Sequence, residues 1–149
     1  MGEKETTRPP RLVDALSIAL RLISRPLQET LEREEDVSLD QWRALRCLSA
    51  DEGRTMGELS ERLQIPAASL TRIVDALVDR ALVFRHGSAV DRRRVEVLLS
   101  DAGAALLVRL EDIALSHEAQ YQATTGLAVD DLIAVLSSVA GSPSVTGPV

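Results

Sequence analysis

Around Ala81 the apolar residues stop recurring every three to four positions and begin to alternate. Upstream, Leu70, Ile73, Val74 and Leu77 mark one face of a helix that runs to about Arg80. Downstream, Leu82-Val83-Phe84-Arg85 reads as one strand and Arg94-Val95-Glu96-Val97-Leu98-Leu99 as a second, with Val95, Val97 and Leu99 sharing a face. His86 to Arg93, with Gly87 and Ser88, is the loop between them. The helical period returns at Ser100. This pattern predicts a mainly α fold carrying one small β-hairpin.

Helical signals fill both flanks. Leu12, Leu16, Leu20, Ile23, Leu27 and Leu31 predict a long amphipathic helix starting at Arg11. Pro26 either kinks it or follows Ser24 as the cap of a second segment, and the acidic run Glu32 to Asp36 closes it. Ser38 with Gln41 fits a capping box, and Val37 with Trp42 a hydrophobic staple. The helix they open is expected to pass Leu45 and Leu48 and stop near Asp51-Glu52-Gly53. Thr55 with Glu58 forms a second capping box, opening a helix that carries Met56, Leu59 and Leu63 on one side. Gln64-Ile65-Pro66 separates it from the next helix, where Pro66 suits the first position. After the hairpin, Ser100 caps a long helix that runs through Leu106 and Leu110 towards Tyr121. Gly126 ends it, and Leu132, Val135, Leu136 and Val139 mark a last helix.

Charge is distributed unevenly. The 149 residues carry a net charge of −6, which argues against a nucleic-acid partner only if it is spread uniformly. Residues 53–100 hold eight arginines against six carboxylates, a net of +2, and the rest of the chain carries −8. The local field is therefore the relevant quantity. Of the seventeen basic residues only Lys4 is a lysine; arginine's planar fork suits phosphate and base recognition better. Aromatic residues make up 2 % of the chain, so the core must be aliphatic. No apolar run approaches the roughly 18 residues that cross a bilayer, and MGEKETTRPP has no apolar segment of the secretory kind. With the single Cys47, a protein of the reducing cytoplasm is expected, with no membrane partner. His86, His117 and one cysteine do not make a metal site. No nucleophile–base set, phosphate loop or dinucleotide fingerprint occurs, so no cofactor and no enzymatic activity are expected.

Two short helices three residues apart, the second opening with Ala67, Ala68, Ser69 and Thr71, match a helix-turn-helix, and the hairpin makes it winged. Small side chains at that nose allow close approach to the floor of a DNA major groove, and the helix dipole favours phosphate. Arg72 either reads a guanine or pairs with Asp75 on its own helix. The Ser69 and Thr71 hydroxyls either reach phosphate or only begin the helix. At the wing tip stand Asp91, Arg92, Arg93 and Arg94. Three adjoining cations repel one another unless a partner compensates, and a narrow minor groove attracts an inserted arginine.

The order of elements, with LDQWRALRCL, MGELSERLQIPAASLTRIVDALVDRALVFR and DRRRVEVLLSDAG, resembles the MarR family of bacterial transcription regulators over about Leu12 to Val139. The family's wing shows Asp-x-Arg, a strand, a capping Ser or Thr, and a Gly shortly after. The resemblance implies a homodimer whose first and last helices interlock on a pseudo-palindromic operator of double-stranded DNA. It implies that Asp91 orients Arg93 for the minor groove, and that Ser69, Thr71 and Arg72 face the major groove. It divides the chain into an arm (1–10), a helical dimerisation region (11–36 and 100–140), a winged helix-turn-helix (37–99) and a tail (141–149). The implied activity is repression, released by a small aromatic or phenolic effector near Trp42 and His117. Gln64 and Ala81 stand where the family usually has glycine, which predicts slightly different turns on either side of the recognition helix.

Blander roles compete. Trp42 fits core and staple duty, and His117 with Tyr121 fits an interface pair. Cys47 reads as a half-buried small residue, against a redox sensor activated by Arg43 and Arg46. The same scaffold, without DNA, could instead grip an acidic protein partner.

Overall fold

In the central segment two of the helix starts are closed by side chains. Ser38 Oγ accepts from the Gln41 N–H at 3.2 Å, and the Gln41 side chain accepts from the Ser38 N–H at 2.9 Å. Thr55 and Glu58 repeat that exchange at 3.2 and 2.8 Å. Both capping boxes are therefore formed as the spacing predicts. Val37 and Trp42, the staple pair, are both buried.

The computed structural model describes residue 9 and residues 11–48, 52–87 and 95–139. Within them the order is α1 (Leu12–Glu35), α2 (Leu39–Arg46), β1 (Arg54–Thr55), α3 (Met56–Leu63), α4 (Ala67–Asp79), β2 (Val83–Gly87), β3 (Val95–Leu99), α5 (Asp101–Thr125) and α6 (Val129–Val139). The strands form one antiparallel sheet in the order β1-β3-β2. Val83 faces Leu99, and Gly87 faces Val95 at the outer end.

Four details differ from the sequence expectation. Helix α1 is one helix with Pro26 inside it, so Ser24 does not cap a second segment. Helix α2 stops at Arg46 with Cys47 as its cap, well short of Asp51, although Leu48 still enters the core. Pro66 is the N-cap of α4 and not its first helical residue. Strand β1 was not anticipated: two residues are too short to show an alternation, and only pairing with Glu96 and Val97 defines them.

The core is aliphatic, as the scarcity of aromatics requires. Leu31, Val37, Leu45, Leu59, Leu70, Leu77, Leu110 and Val97 are completely enclosed. They come from the end of α1, the first half of α5, and the central helices and sheet. The other ends of the long helices contribute little. Helix α6 buries none of its residues, and Leu12, Val13, Leu20 and Leu22 on α1 are each at least 68 % exposed.

Candidate DNA interface

The turn between α3 and α4 is built by Ser60, Gln64 and Ile65. Gln64 adopts the left-handed region (φ 55, ψ 38). The Ser60 hydroxyl donates to the Ile65 carbonyl at 2.7 Å, and Ile65 is buried beneath the turn. Helix α4 then seats Leu70, Val74 and Leu77 in the core. Its outer side presents Ala68, Ser69, Thr71, Arg72 and Asp75, all exposed.

Side-chain partners distinguish these groups. Asp75 is held by Arg85 of β2 at 2.6 Å, so it does not pair with Arg72. Among the described residues Arg72 makes no hydrogen bond or ion pair, and its guanidinium is available to a ligand. The Thr71 hydroxyl donates to the Ala67 carbonyl at 2.9 Å within its own helix, which leaves only its lone pairs and nothing to donate to phosphate. Ser69, the third residue of α4, has no such bond. Asp91, Arg92, Arg93 and Arg94 lie outside the described residues. The ladder that leads to them extends to Gly87 and Val95.

Away from that exposed side, the end of α4 is fastened to α5. Leu82 N–H donates to the Leu77 carbonyl at 2.9 Å and Ala81 N–H to the Val78 carbonyl at 2.8 Å, closing the helix through a left-handed Ala81 (φ 55). Ser100 N–H donates to the Leu82 carbonyl at 3.0 Å, while Ser100 Oγ accepts from Gly103 N–H at 2.9 Å. A Cβ at Gly103 would overlap the Leu82 carbonyl oxygen. These contacts give the Ser-x-x-Gly pattern its physical meaning: helix α5 starts directly against the chain that leaves the recognition helix.

A second fastening joins α4 and α5 to α1, and nothing in the local sequence announces it. Arg80 donates to the carbonyls of Asp36 at 2.6 Å and Glu35 at 3.2 Å. Arg109 meets the Glu35 carboxylate through both oxygens, at 2.7 and 2.9 Å. The bond from Arg109 holds the Glu35 carboxyl below the usual carboxylate range, with the charges of Arg109 and Arg80 adding to the effect and partial desolvation opposing it.

The residues considered for an effector do not converge. Trp42 is buried, and its indole N–H donates to Glu111 at 2.8 Å. Arg46 shares that carboxylate at 3.0 Å and lies 5.0 Å from the centre of the indole ring. Trp42 thus joins α2 to α5. His117 sits farther along α5 with Nε2 3.0 Å from the Ile23 carbonyl. It borders a polar cavity of about 380 Å³, with Thr30, Glu34 and Asp112, and an apolar cleft of about 180 Å³, with Ile23, Tyr121, Leu132 and Leu136. Trp42 lines neither. Cys47 is half-buried against the core. The arginines expected to activate it are engaged elsewhere: Arg43 with Asp40 and the Leu63 carbonyl, Arg46 with Glu111. Among the described residues no cluster of metal-ligating side chains occurs, and no helix is long and apolar enough to cross a membrane.

A helix-turn-helix with a wing at its edge is what the comparisons with known proteins also find. The model of the MarR family matches residues 35–94. An HTH-type transcriptional regulator of Mycobacterium leprae is 35 % identical over 97 residues, covering 65 % of this chain and 67 % of that protein. The transcriptional repressor CouR, solved bound to a 23-mer DNA duplex, has a TM-score of 0.75 at 28 % identity, over 87 % of this chain and 90 % of its own. BldR from Sulfolobus solfataricus, at 21 % identity, shares the fold with a TM-score of 0.78 over 87 % and 91 % of the two chains. The chain belongs to the MarR family and is a DNA-binding transcription regulator, not an enzyme.

Proposed function

We propose that the protein acts as a homodimeric repressor on a pseudo-palindromic operator. One observation carries the dimer: α6 has no buried residue, and the first half of α1 leaves large apolar side chains in water. Faces of that size call for a partner, and a second copy, adding the same faces by symmetry, is the simplest one. In such a dimer the two α4 noses enter successive major grooves about 34 Å apart. Ser69 and Arg72 contact the duplex there, with Thr71 nearby. The wings carry Asp91, Arg92, Arg93 and Arg94 to the adjoining minor grooves, Asp91 orienting Arg93.

A small effector seated among the long helices releases the DNA. The apolar cleft beside His117 and Tyr121 suits a small aromatic ligand, and Trp42 serves the core. Fluorescence anisotropy on the upstream duplex tests the DNA step. The logarithm of the affinity should fall linearly with log salt, with a slope of about −0.9 per phosphate neutralised, and Arg93→Ala should weaken binding at least tenfold without changing the oligomeric state. Salt-independent binding rejects the repressor, and a fully active Arg93→Ala rejects the role of the wing.

A further inference from the structure

Helix α4 is seated in the core along its length by Leu70, Val74 and Leu77, and at its C-terminal end it meets the start of α5. There the chain of Ala81 and Leu82 lies against Ser100 and Gly103 of the α5 start. Contacts of that kind, confined to one place, act as a pivot. They fix where the helix ends on α5, and the angle at which the packed unit of α2, α3 and α4 sits on the long helices depends on what else joins them. Besides the link from Trp42 and Arg46 to Glu111, that join is Arg80. Its guanidinium spans the Glu35 and Asp36 carbonyls at the end of α1, groups that have no partner within their own helix. A cation there also opposes the negative end of the α1 dipole. Arg109 closes the group from α5 by taking the Glu35 carboxylate through both oxygens, the geometry that best fixes orientation. Three helices are thus tied at one point by residues 44 to 74 positions apart.

We infer that Arg80, Glu35 and Arg109 are positioning residues that set the direction of the recognition helix relative to the long helices, and through it the half-site spacing the protein accepts. The inference rests on the proposed dimer, because spacing has meaning only for two linked α4 helices. Arg80 and Arg109 are exposed while Glu35 is half-buried, and a pair with one exposed partner contributes modestly to global stability. Their effect lies in geometry: a small rotation about the Ser100 pivot sweeps the far end of α4, roughly 20 Å away for thirteen residues at about 1.5 Å each.

Two measurements test this. In a Cys47→Ser background, spin labels at Ala68→Cys and Gln28→Cys report the distance from the α4 nose to α1 within one subunit, without DNA and with labelled subunits diluted. A narrow distribution is expected for the parent, and a broad one for Arg80→Gln and Glu35→Gln. Operators whose half-sites are spaced one or two base pairs either side of the optimum then give a spacing profile. Both variants should flatten it, losing less than about fivefold at the optimum, as expected for a pair with one exposed partner, while discriminating against wrong spacings at least tenfold less. Arg80→Lys, which keeps the charge but not the fork, should fall between. Unchanged distance distributions overturn the inference whatever the DNA result, as does a variant profile parallel to the parent's. A parent that binds no duplex while the variants broaden the distance distribution overturns the dimer–operator proposal and leaves the positioning role supported.

Discussion

Gln64 and Ala81 both hold φ 55, a backbone that glycine adopts without steric penalty and other residues do not. A changed turn was expected at these places; the turns instead keep the left-handed conformation, and the missing glycine is absorbed as strain. Ala81→Gly should therefore stabilise the protein, by about 1 kcal/mol for the relieved left-handed strain, less a few tenths for the freer unfolded chain. Urea denaturation reads the difference directly. Gln64→Gly should gain less, because the Gln64 side chain donates to the Glu61 carbonyl at 2.6 Å and that bond would be lost. Gly103→Ala runs the other way: its methyl has to displace the Leu82 carbonyl and Leu99 Cδ1, which predicts a loss of about 3 kcal/mol, as for other overpacked sites. If Gly103→Ala melts like the parent, α5 does not abut the end of α4 as described.

At the level of elements, what was legible in the sequence is what is local. Capping boxes join residues three apart, and both formed as spaced; the change of period at Ala81 placed the hairpin to within one or two residues. What stayed hidden depends on distant partners. Strand β1 exists only because β3 lies beside it. Asp75 turned to Arg85 across the wing and left Arg72 unpaired, although helical spacing alone offered an Asp75–Arg72 pair. The pair between Glu35 and Arg109 spans 74 positions and has no sequence signature at all. It does have a pH signature. Because Arg109 depresses the folded-state pKa of Glu35, the stabilisation is fully present above the ordinary carboxylate value of about 4.3. It is lost as pH falls through that value towards the depressed one. Glu35→Gln should accordingly be less stable than the parent near neutrality, and the gap should close as the pH drops below about 4. A gap that stays constant across that range would show that Arg109 does not hold the carboxylate in solution.

The whole molecule combines an acidic total with a basic centre, and the two work together only if the carboxylate-rich parts face away from the duplex. The sequence separates them: residues 53–100, at net +2, include the helix-turn-helix and the strands, with the surplus carried by Asp91 to Arg94 outside the described residues, while the long helices are net negative. A duplex approaching the acidic side is repelled and one approaching the other side is not, so the charge pattern selects the orientation of encounter. In the proposed dimer two such faces, held side by side, gain a further advantage, because binding the first half-site delivers the second at high effective concentration. Severing the dimer removes that gain while each α4 remains intact. Val135→Asp places a carboxylate on the exposed apolar side of α6, at a residue that is 62 % exposed and lines neither cavity of its own subunit. Light scattering should then report monomers at concentrations where the parent is dimeric. Affinity for the full operator should fall by about 10²- to 10⁴-fold, while affinity for an isolated half-site and the circular dichroism spectrum stay as they were. Equal losses on the full and the half operator would mean that α6 supports the recognition helix within its own subunit, and that linkage of two subunits is not the source of the affinity.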